Sequence, residues 1–292
     1  MEKKGKIVLS ASRRTDIPAF YMDWFEAGIR RGFFEVQNPF NQQVQTIPAA
    51  AGDVHSIVFW SKNYGPFLSR GFGEHLEKLG YHLFFHFTVN SRSSLLEPRV
   101  APLSQRLSQM GALAQRFSAP AITWRFDPVC HYTQQGVAKN NLDDFESIAD
   151  AAAACGISRC VTSFVDLYRK VAQRSQRVPG FAFDPLSPEK QAEILCRMEA
   201  VLAPRNITLF TCCEKQTLAL VPASSEIFPS ACIDHGLLEK LFGPGLSRAR
   251  DLGQRASAGC GCMQSKDVGS YAAHPCFHDC LFCYARPLGK GL

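Results

Sequence analysis

The sequence has 292 residues, of which 46% are hydrophobic and 20% are charged, and its formal net charge is +6. This composition excludes a generally disordered chain, and the length suffices for a hydrophobic core without crosslinks. The apolar stretch at residues 7–9 is too short for a signal peptide or a membrane span, so we expect a cytoplasmic protein with no membrane partner. The positive charge permits anionic partners but does not require them.

Short apolar segments alternate with longer segments of helical period along most of the chain. Each apolar segment is rich in β-branched or aromatic residues, which is typical of strands. The predicted strands are 6–10, 33–37, 56–60, 82–89, 121–126, 158–164 and 207–211. The predicted helices are 18–31, 66–79, 102–117, 142–155, 188–202 and 233–241. This alternation predicts an α/β fold, a complete or partial (β/α) TIM-like barrel, with an open doubly wound sheet as the alternative.

Polar residues follow nearly every predicted strand. In a barrel the carboxyl ends of the strands converge on one face, where barrel enzymes place their active sites. We therefore expect the site at this face. The candidates are Arg13, Arg14 and Asp16 after the first strand, Asn38 after the second, Lys62 after the third, His86 in the fourth, Arg125 and Asp127 in and after the fifth, and Glu214 after the seventh.

These candidates suggest different roles. Arg13, Arg14 and Lys62 are candidate contacts for an anionic substrate, whereas an Arg–Asp pair with Asp16 would instead order the loop. Alternation along the strands directs Arg125 and Asp127 to the barrel interior, where they bind substrate or neutralise one another.

Two further candidates concern proton transfer and substrate contact. His86 is a candidate substrate contact or a hydrogen-bonded core histidine. Glu214 is the best candidate for a base or an anchoring acid, with a structural salt bridge as the alternative.

The composition changes after Gly243, where Gly, Pro, Ser and Cys become frequent. No strand or long amphipathic helix is predicted there, so we divide the chain into a barrel-like catalytic domain, 1–243, and a cysteine-rich tail, 244–292, that packs over the barrel mouth. The chain has twelve cysteines, and a reducing compartment disfavours structural disulfides. Metal or redox chemistry is the leading explanation for the tail cysteines.

The tail contains two cysteine spacings. Cys276, Cys280 and Cys283 form a C-x3-C-x2-C motif, and three thiolates on one loop can hold three irons of a [4Fe-4S] cluster and leave the fourth iron open. Cys260 and Cys262 form a C-x-C pair, which is a candidate for a second metal, a redox pair or a cap on the same cluster.

Zinc is the alternative metal for the tail, with His274 and His278 as additional ligands. Elsewhere, Cys212 and Cys213 are either packed thiols or site residues beside Glu214. The remaining cysteines are expected to be isolated buried thiols; these are Cys130, Cys155, Cys160, Cys196 and Cys232.

The segment CFHDCLFC, with an aromatic residue before its last cysteine, resembles the cluster motif of radical S-adenosylmethionine (radical SAM) enzymes. In those enzymes the motif usually follows the first strand, whereas here the loop would fold back over the barrel from the other end of the chain. The resemblance implies that Phe282 and Tyr284 lie at the cofactor. It also implies that an electron donor such as flavodoxin or ferredoxin supports the reductive cleavage of S-adenosylmethionine.

The longer pattern ASRRTDIPAFY, IVFWSKN, WRFDP and CGC…SKDVGSY resembles domain-of-unknown-function family 1848, uncharacterised bacterial proteins with a radical-SAM-like cysteine cluster. The resemblance implies a barrel and a cluster but gives no substrate. Two other hypotheses stay open: a zinc- or cluster-stabilised nucleic-acid-binding protein, and an iron–sulfur redox sensor. Nucleic acid is also a candidate substrate of the radical enzyme, by analogy alone.

Overall fold

The computed structural model describes residues 5–37 and 43–285, where strands and helices alternate along the chain. The strands are β1 (Ile7–Ala11), β2 (Phe33–Gln37), β3 (Val44–Pro48), β4 (Val54–Ser61), β5 (His82–Thr88), β6 (Ile122–Val129), β7 (His131–Gln134), β8 (Val137–Asn140), β9 (Arg159–Phe164), β10 (Phe181–Phe183), β11 (Thr208–Thr211), β12 (Ile227–Pro229) and β13 (Lys266–Asp267).

The α-helices are α1 (Ile17–Phe20), α2 (Met22–Arg31), α3 (Gly65–Ser69), α4 (Phe72–Lys78), α5 (Leu103–Phe117), α6 (Phe145–Ala154), α7 (Arg169–Ser175), α8 (Pro188–Leu202), α9 (Lys215–Leu218) and α10 (His235–Phe242). Local chemistry explains several of their limits. Helix α8 begins with Ser187, whose side chain accepts a hydrogen bond from the Lys190 N–H, and with Pro188 in its first turn. Helix α2 ends at Gly32, whose φ of 80° lies in the left-handed region that suits glycine.

An eight-stranded parallel sheet forms the centre of the molecule, in the order β12-β11-β9-β6-β5-β4-β1-β13. Parallel sheets are covered on both faces, so their strands are apolar almost throughout. Strand β4, VHSIVFWS, is an example, because seven of its eight residues are buried. The predicted mixed α/β fold with a large parallel sheet is therefore confirmed.

Neighbouring residues along the strands contribute to two separate cores. Leu9, Phe59 and Phe85 lie in the large core beneath the helices. Val8 and Phe84 point to the opposite face, where they pack with Leu238 of α10 and with other apolar side chains. This alternation follows from the two-residue period of a strand, and it buries both faces of the sheet.

Some predicted elements differ from the structure. Strand β2 forms as predicted, but it pairs antiparallel with β3 in a separate two-stranded sheet, so its placement among the barrel strands was wrong. The candidate residue that follows this strand, Asn38, lies outside the described residues. A third sheet, β10-β7-β8, was not predicted, because its strands are only three or four residues long.

The prediction of no strand after Gly243 was also wrong. Residues Lys266–Asp267 form β13, which pairs in parallel with Leu9 and Ser10 of β1 at the edge of the main sheet. Two residues are too few to give a periodic pattern, so the sequence carried no signal for this strand. The tail thus contributes an edge strand to the eight-stranded parallel sheet.

No helix in the described ranges is long and apolar enough to span a membrane.

We predict opposite effects for two glycine substitutions in helices. A Cβ at Gly28 of α2 would lie 2.0 Å from Cε1 of the buried Phe34, whereas a Cβ at Gly111 of α5 would meet nothing closer than the Cys155 Sγ, at 3.8 Å. Gly28→Ala should lower the free energy of unfolding by about 1–3 kcal/mol through overpacking. Gly111→Ala should raise it by about 0.5–1 kcal/mol through helix propensity. Urea unfolding measures both, and equal effects would contradict the packing of α2 on β2.

Candidate functional site

The loops at the carboxyl ends of the parallel strands are joined by hydrogen bonds. The Asn90 side chain, after β5, donates to the Asp127 carbonyl in β6, at 3.1 Å. The backbone N–H of Phe164, at the end of β9, donates to Glu214 Oε1 after β11, at 2.9 Å. These hydrogen bonds therefore link neighbouring strand ends along one edge of the sheet.

Asp16 holds three segments of this edge together. Its Oδ1 accepts hydrogen bonds from the Ala19 N–H (3.0 Å) and the Ser61 hydroxyl (2.7 Å). Its Oδ2 accepts from the Lys62 N–H (2.8 Å) and lies 2.7 Å from Nε2 of His278 in the tail. Asp16 and His278 are both buried, so this carboxylate fixes the cysteine motif against the loops after β1 and β4.

The tail motif has further anchors on other elements. The backbone N–H of Leu281 donates to the Leu96 carbonyl at 2.9 Å, and the Arg174 guanidinium of α7 donates to the Cys283 carbonyl. The Tyr21 hydroxyl donates to the Pro275 carbonyl at 2.6 Å. The motif is thus held from several sides at the carboxyl edge.

The thiols of Cys276, Cys280 and Cys283 are free and close enough to influence one another electrostatically. Cys280 is buried, and Cys276 and Cys283 are partly exposed. Burial raises the pKa of Cys276 to about 12 and also raises that of Cys280, while the Lys62 cation opposes both shifts.

Three thiols from one loop are the donor set that a [4Fe-4S] cluster with three protein ligands requires. Among residues 5–37 and 43–285, no three His, Cys, Asp or Glu side chains are already arranged around a point as metal ligands. Binding would therefore include rotation of the side chains.

Lys62 and Phe282 lie together beside the motif. The Lys62 ammonium lies 5.2 Å from the centre of the Phe282 ring and donates a hydrogen bond to Glu97 Oε1 at 2.6 Å. One of its three N–H groups is therefore used by Glu97. Tyr284 is about half exposed, and its hydroxyl donates to the Arg13 carbonyl at 3.3 Å.

Arg13 and Arg14 bind the tail and do not pair with Asp16. The Nε of Arg14 lies 3.2 Å from Asp267 in β13, and its Nη1 donates to the Gly269 carbonyl. The backbone N–H of Arg13 donates to Asp267 Oδ1 at 3.0 Å, and its guanidinium lies 3.5 Å from Asp251. The acidic partners of both arginines thus come from the tail, where the sequence did not identify them.

Arg125 and Asp127 form an ion pair in which Arg125 is buried and Asp127 is partly exposed. Arg125 Nε donates to Asp127 Oδ2 at 3.2 Å, and its Nη1 donates to Cys232 Sγ at the same distance. Burial alone would raise the pKa of Asp127. The Arg125 charge and a hydrogen bond from Ser163 outweigh burial and lower it.

His86 lies next to this pair in a buried position. Its ring stacks on Trp60, with centroids 5.1 Å apart, and its Nε2 donates to the Cys232 carbonyl at 2.8 Å. Burial, together with the Arg125 charge, lowers the pKa of His86 to about 4. The imidazole is therefore neutral near pH 7, and its Nδ1 is buried without a hydrogen-bond partner.

Glu214 follows β11, where burial raises its pKa to about 7. A carboxyl group that titrates near neutrality can both accept and donate a proton, as general acid–base catalysis requires. Glu214 thus has the protonation property expected of the predicted base.

Five other cysteines form a second group at the same edge of the sheet. The Cys212 Sγ lies 3.8 Å from the Cys213 Sγ and 3.7 Å from the Cys232 Sγ. The side chains of Cys213 and Cys260, of Cys260 and Cys262, and of Cys262 and Cys232 also interact. We call this set of five thiols the thiol ring.

The assignment of Cys232 as an isolated thiol was therefore wrong. Hydrogen bonds from Cys212 and Cys262, with the Arg125 charge, lower the pKa of Cys232. Cys232 has no other cysteine near it in sequence, so no cysteine spacing pointed to it. Its position after β12 would have placed it near the residues that follow β11 only once the pairing of these two strands was known.

We predict that Asp16→Ala loosens the tail. Four hydrogen-bonded groups lose their acceptor, so the free energy of unfolding should fall by about 2–4 kcal/mol. Hydrogen exchange should increase at residues 270–285. Asp23→Ala, which removes only an exposed ion pair with Arg70, is the control and should change neither quantity appreciably. Unchanged exchange in the tail of Asp16→Ala would refute the anchoring role.

For Asp127 we predict a pH-dependent contribution to stability. Its folded-state pKa lies below the ordinary value of 3.8, so ionised Asp127 stabilises the fold above that pH, and the effect is lost as the pH falls through the lower value. Asp127→Asn should cost about 2–3 kcal/mol at neutral pH, because Arg125 loses its partner. In urea unfolding, the difference from wild type should shrink as the pH falls below 3.8; a difference that stays constant there would exclude the charge effect.

Comparison with solved structures finds distant similarities. D-hydantoinase from Bacillus sp. AR9 is 14% identical, with a TM-score of 0.33, over 62% of this chain and 40% of that chain. Rhizobium etli pyruvate carboxylase with acetyl coenzyme-A is 11% identical, with a TM-score of 0.33, over 78% of this chain and 24% of that chain. The chain therefore spans less than half the length of either protein.

No curated protein matches the sequence. A family model does match it, from residue 8 to residue 285, and this range includes both cysteine groups and all the strands of the parallel sheet except the first residue of β1. The chain therefore belongs to the family described as Domain of unknown function (DUF1848).

Proposed function

We propose that the protein is an iron–sulfur enzyme that resembles radical SAM enzymes, with a [4Fe-4S] cluster held by Cys276, Cys280 and Cys283. The observation that carries the proposal is the attachment of the cysteine motif to the carboxyl edge of the sheet through the Asp16–His278 contact. In α/β proteins this edge is where ligands bind, so a cofactor at the motif would lie beside the substrate. The partial exposure of Cys276 and Cys283 leaves the motif accessible to a ligand.

A bound cluster of this kind supplies one electron for the reductive cleavage of S-adenosylmethionine, which starts radical chemistry on the substrate. The protein's own residues bind and orient the reactants. Lys62 supplies a positive charge beside the motif, where it suits the carboxylate of S-adenosylmethionine, and Phe282 covers the motif next to it. Tyr284 is half exposed on the same loop, where it is available to the cofactor.

Glu214 and the Arg125–Asp127 pair are the proposed substrate-facing groups. The pKa of Glu214 near 7 suits it to hold or release a proton at neutral pH. The substrate is of unassigned class. We also propose that the sheet is part of a partial (β/α) barrel, with α10 packed on its inner face, and that the tail begins near residue 244. The proposed location is the cytoplasm, and the proposed partner is an electron donor such as flavodoxin or ferredoxin.

Electron paramagnetic resonance of anaerobically purified, dithionite-reduced protein tests this proposal. We expect a reduced-cluster signal that shifts when S-adenosylmethionine is added. The signal should be absent in Cys280→Ala and retained in Cys196→Ala, whose thiol lies on α8 outside both cysteine groups.

Analysis of iron, sulfide and zinc accompanies the spectra. Zinc in the wild type but no iron, even after anaerobic reconstitution, would overturn the cluster. A cluster signal that does not respond to S-adenosylmethionine would overturn the radical SAM assignment and favour a redox sensor.

A further inference from the structure

The thiol ring lies outside the proposed cluster motif, and no step of the proposed function uses it. Its members come from three separate segments: the turn after β11, the turn after β12, and the tail loop at 260–262. The Sγ atoms of Cys212 and Cys232 lie 3.7 Å apart although 20 positions separate these residues in sequence.

Backbone geometry brings the five thiols together. Strands β11 and β12 pair in parallel, and the Ser230 N–H donates to the Thr211 carbonyl at 2.7 Å, so the turns after both strands are adjacent. Cys213 has a φ of 66°, in the left-handed region that non-glycine residues rarely adopt. With this backbone conformation, the thiols of the consecutive residues Cys212 and Cys213 lie on the same side, 3.8 Å apart.

Two glycines allow the tail loop to approach. Gly259 has a φ of 92°, and a Cβ there would lie 2.9 Å from the Lys215 Cβ. A Cβ at Gly261 would lie 3.3 Å from the Ser230 carbonyl oxygen. The glycines on either side of Cys260 thus permit the close contact that directs Cys260 and Cys262 toward the strand ends.

Two arginines provide positive charge at the thiol ring. Arg125 Nη1 donates to Cys232 Sγ at 3.2 Å. The Arg13 guanidinium interacts electrostatically with Cys262 and Cys232, and its Nη2 is buried without a hydrogen-bond partner. Guanidinium groups beside several thiols are the surroundings that stabilise a group of thiolates.

The sulfur spacing indicates the kind of metal. Zinc binds cysteine sulfur at about 2.3 Å in a tetrahedron, which places neighbouring sulfurs about 3.8 Å apart. The separations from the Cys212 Sγ to the Sγ atoms of Cys232, 3.7 Å, and Cys213, 3.8 Å, match this edge. The cysteine ligands of a cubane cluster bind different irons and are therefore farther apart.

We propose that the thiol ring is a second metal site, which binds one tetrahedral Zn²⁺ through four of its five cysteines. Each ligand loses its proton to solvent on binding, and the side chains rotate from their present hydrogen-bonded arrangement to surround the ion. The site ties the tail loop at 260–262 to the turns after β11 and β12. It is separate from the proposed cluster, and its test does not depend on iron.

Metal analysis of anaerobically purified full-length protein tests this inference. Wild type should contain about one zinc per chain. The triple variant Cys212→Ser, Cys232→Ser, Cys262→Ser leaves two ring thiols and should lose at least about 90% of the zinc, because two sulfurs cannot complete a tetrathiolate site. The control variant Cys155→Ser, Cys196→Ser removes two cysteines outside both groups and should keep the zinc.

A third variant separates this site from the proposed cluster. Cys276→Ser, Cys280→Ser, Cys283→Ser should keep the zinc whether or not the wild type contains iron. Loss of zinc from this variant, or zinc unchanged in the ring variant, would overturn the inference. Loss of iron and sulfide instead of zinc from the ring variant would overturn the single-ion assignment.

Cobalt substitution keeps the inference testable if the ring variant does not fold, which circular dichroism reveals. Co²⁺ added to metal-free wild-type protein should produce the intense thiolate-to-cobalt charge-transfer band and the visible bands of a tetrahedral sulfur site, and Zn²⁺ should abolish both. The variant Cys276→Ser, Cys280→Ser, Cys283→Ser should give the same spectrum. Absence of these bands in folded wild-type protein would refute the site.

Discussion

The ion pair and hydrogen bonds of Asp267 connect the tail to the first strand, and the arrangement of the whole carboxyl edge depends on this connection. Asp267 lies in β13, pairs in register with Ser10, and binds the Ser10 hydroxyl, the Arg13 N–H and the Arg14 guanidinium. These contacts are partly buried, where an unpaired carboxylate would be costly, so they specify a single register for the added strand. Both cysteine groups are then held against the sheet.

The loop after β1 lies between the two cysteine groups. Asp16 of this loop binds His278 of the tail cysteine motif, and the Arg13 guanidinium interacts with Cys262 and Cys232 of the thiol ring. The backbone carbonyl of Arg13 also accepts the Tyr284 hydroxyl. A few residues near the start of the chain thus position cysteines from its last third, and the charges of this loop neutralise acidic groups that the tail brings.

Sequence patterns predicted the parts of the molecule that depend on local periodicity. Six of the seven predicted strands lie in the parallel sheet, because continuous apolar segments such as β4 are specific to buried strands. The short edge strands and the partners of Arg14 were not predictable, since two or three residues carry no period and long-range pairing leaves no local trace. Cys232 shows the same limit. Its neighbours follow from strand order, which the spacing of cysteines does not encode.

The contact between Asp16 and His278 joins residues 262 positions apart in sequence. Long-range contacts of this kind form late, and chains fold from the N-terminal end during synthesis at about 5–20 residues per second. The sheet core can therefore form on the ribosome before the cysteine motif emerges, whereas neither cysteine group can close until the tail has emerged. Both cysteine groups are in this way completed against a sheet that is already folded, so a ligand that needs all their thiols meets a folded protein.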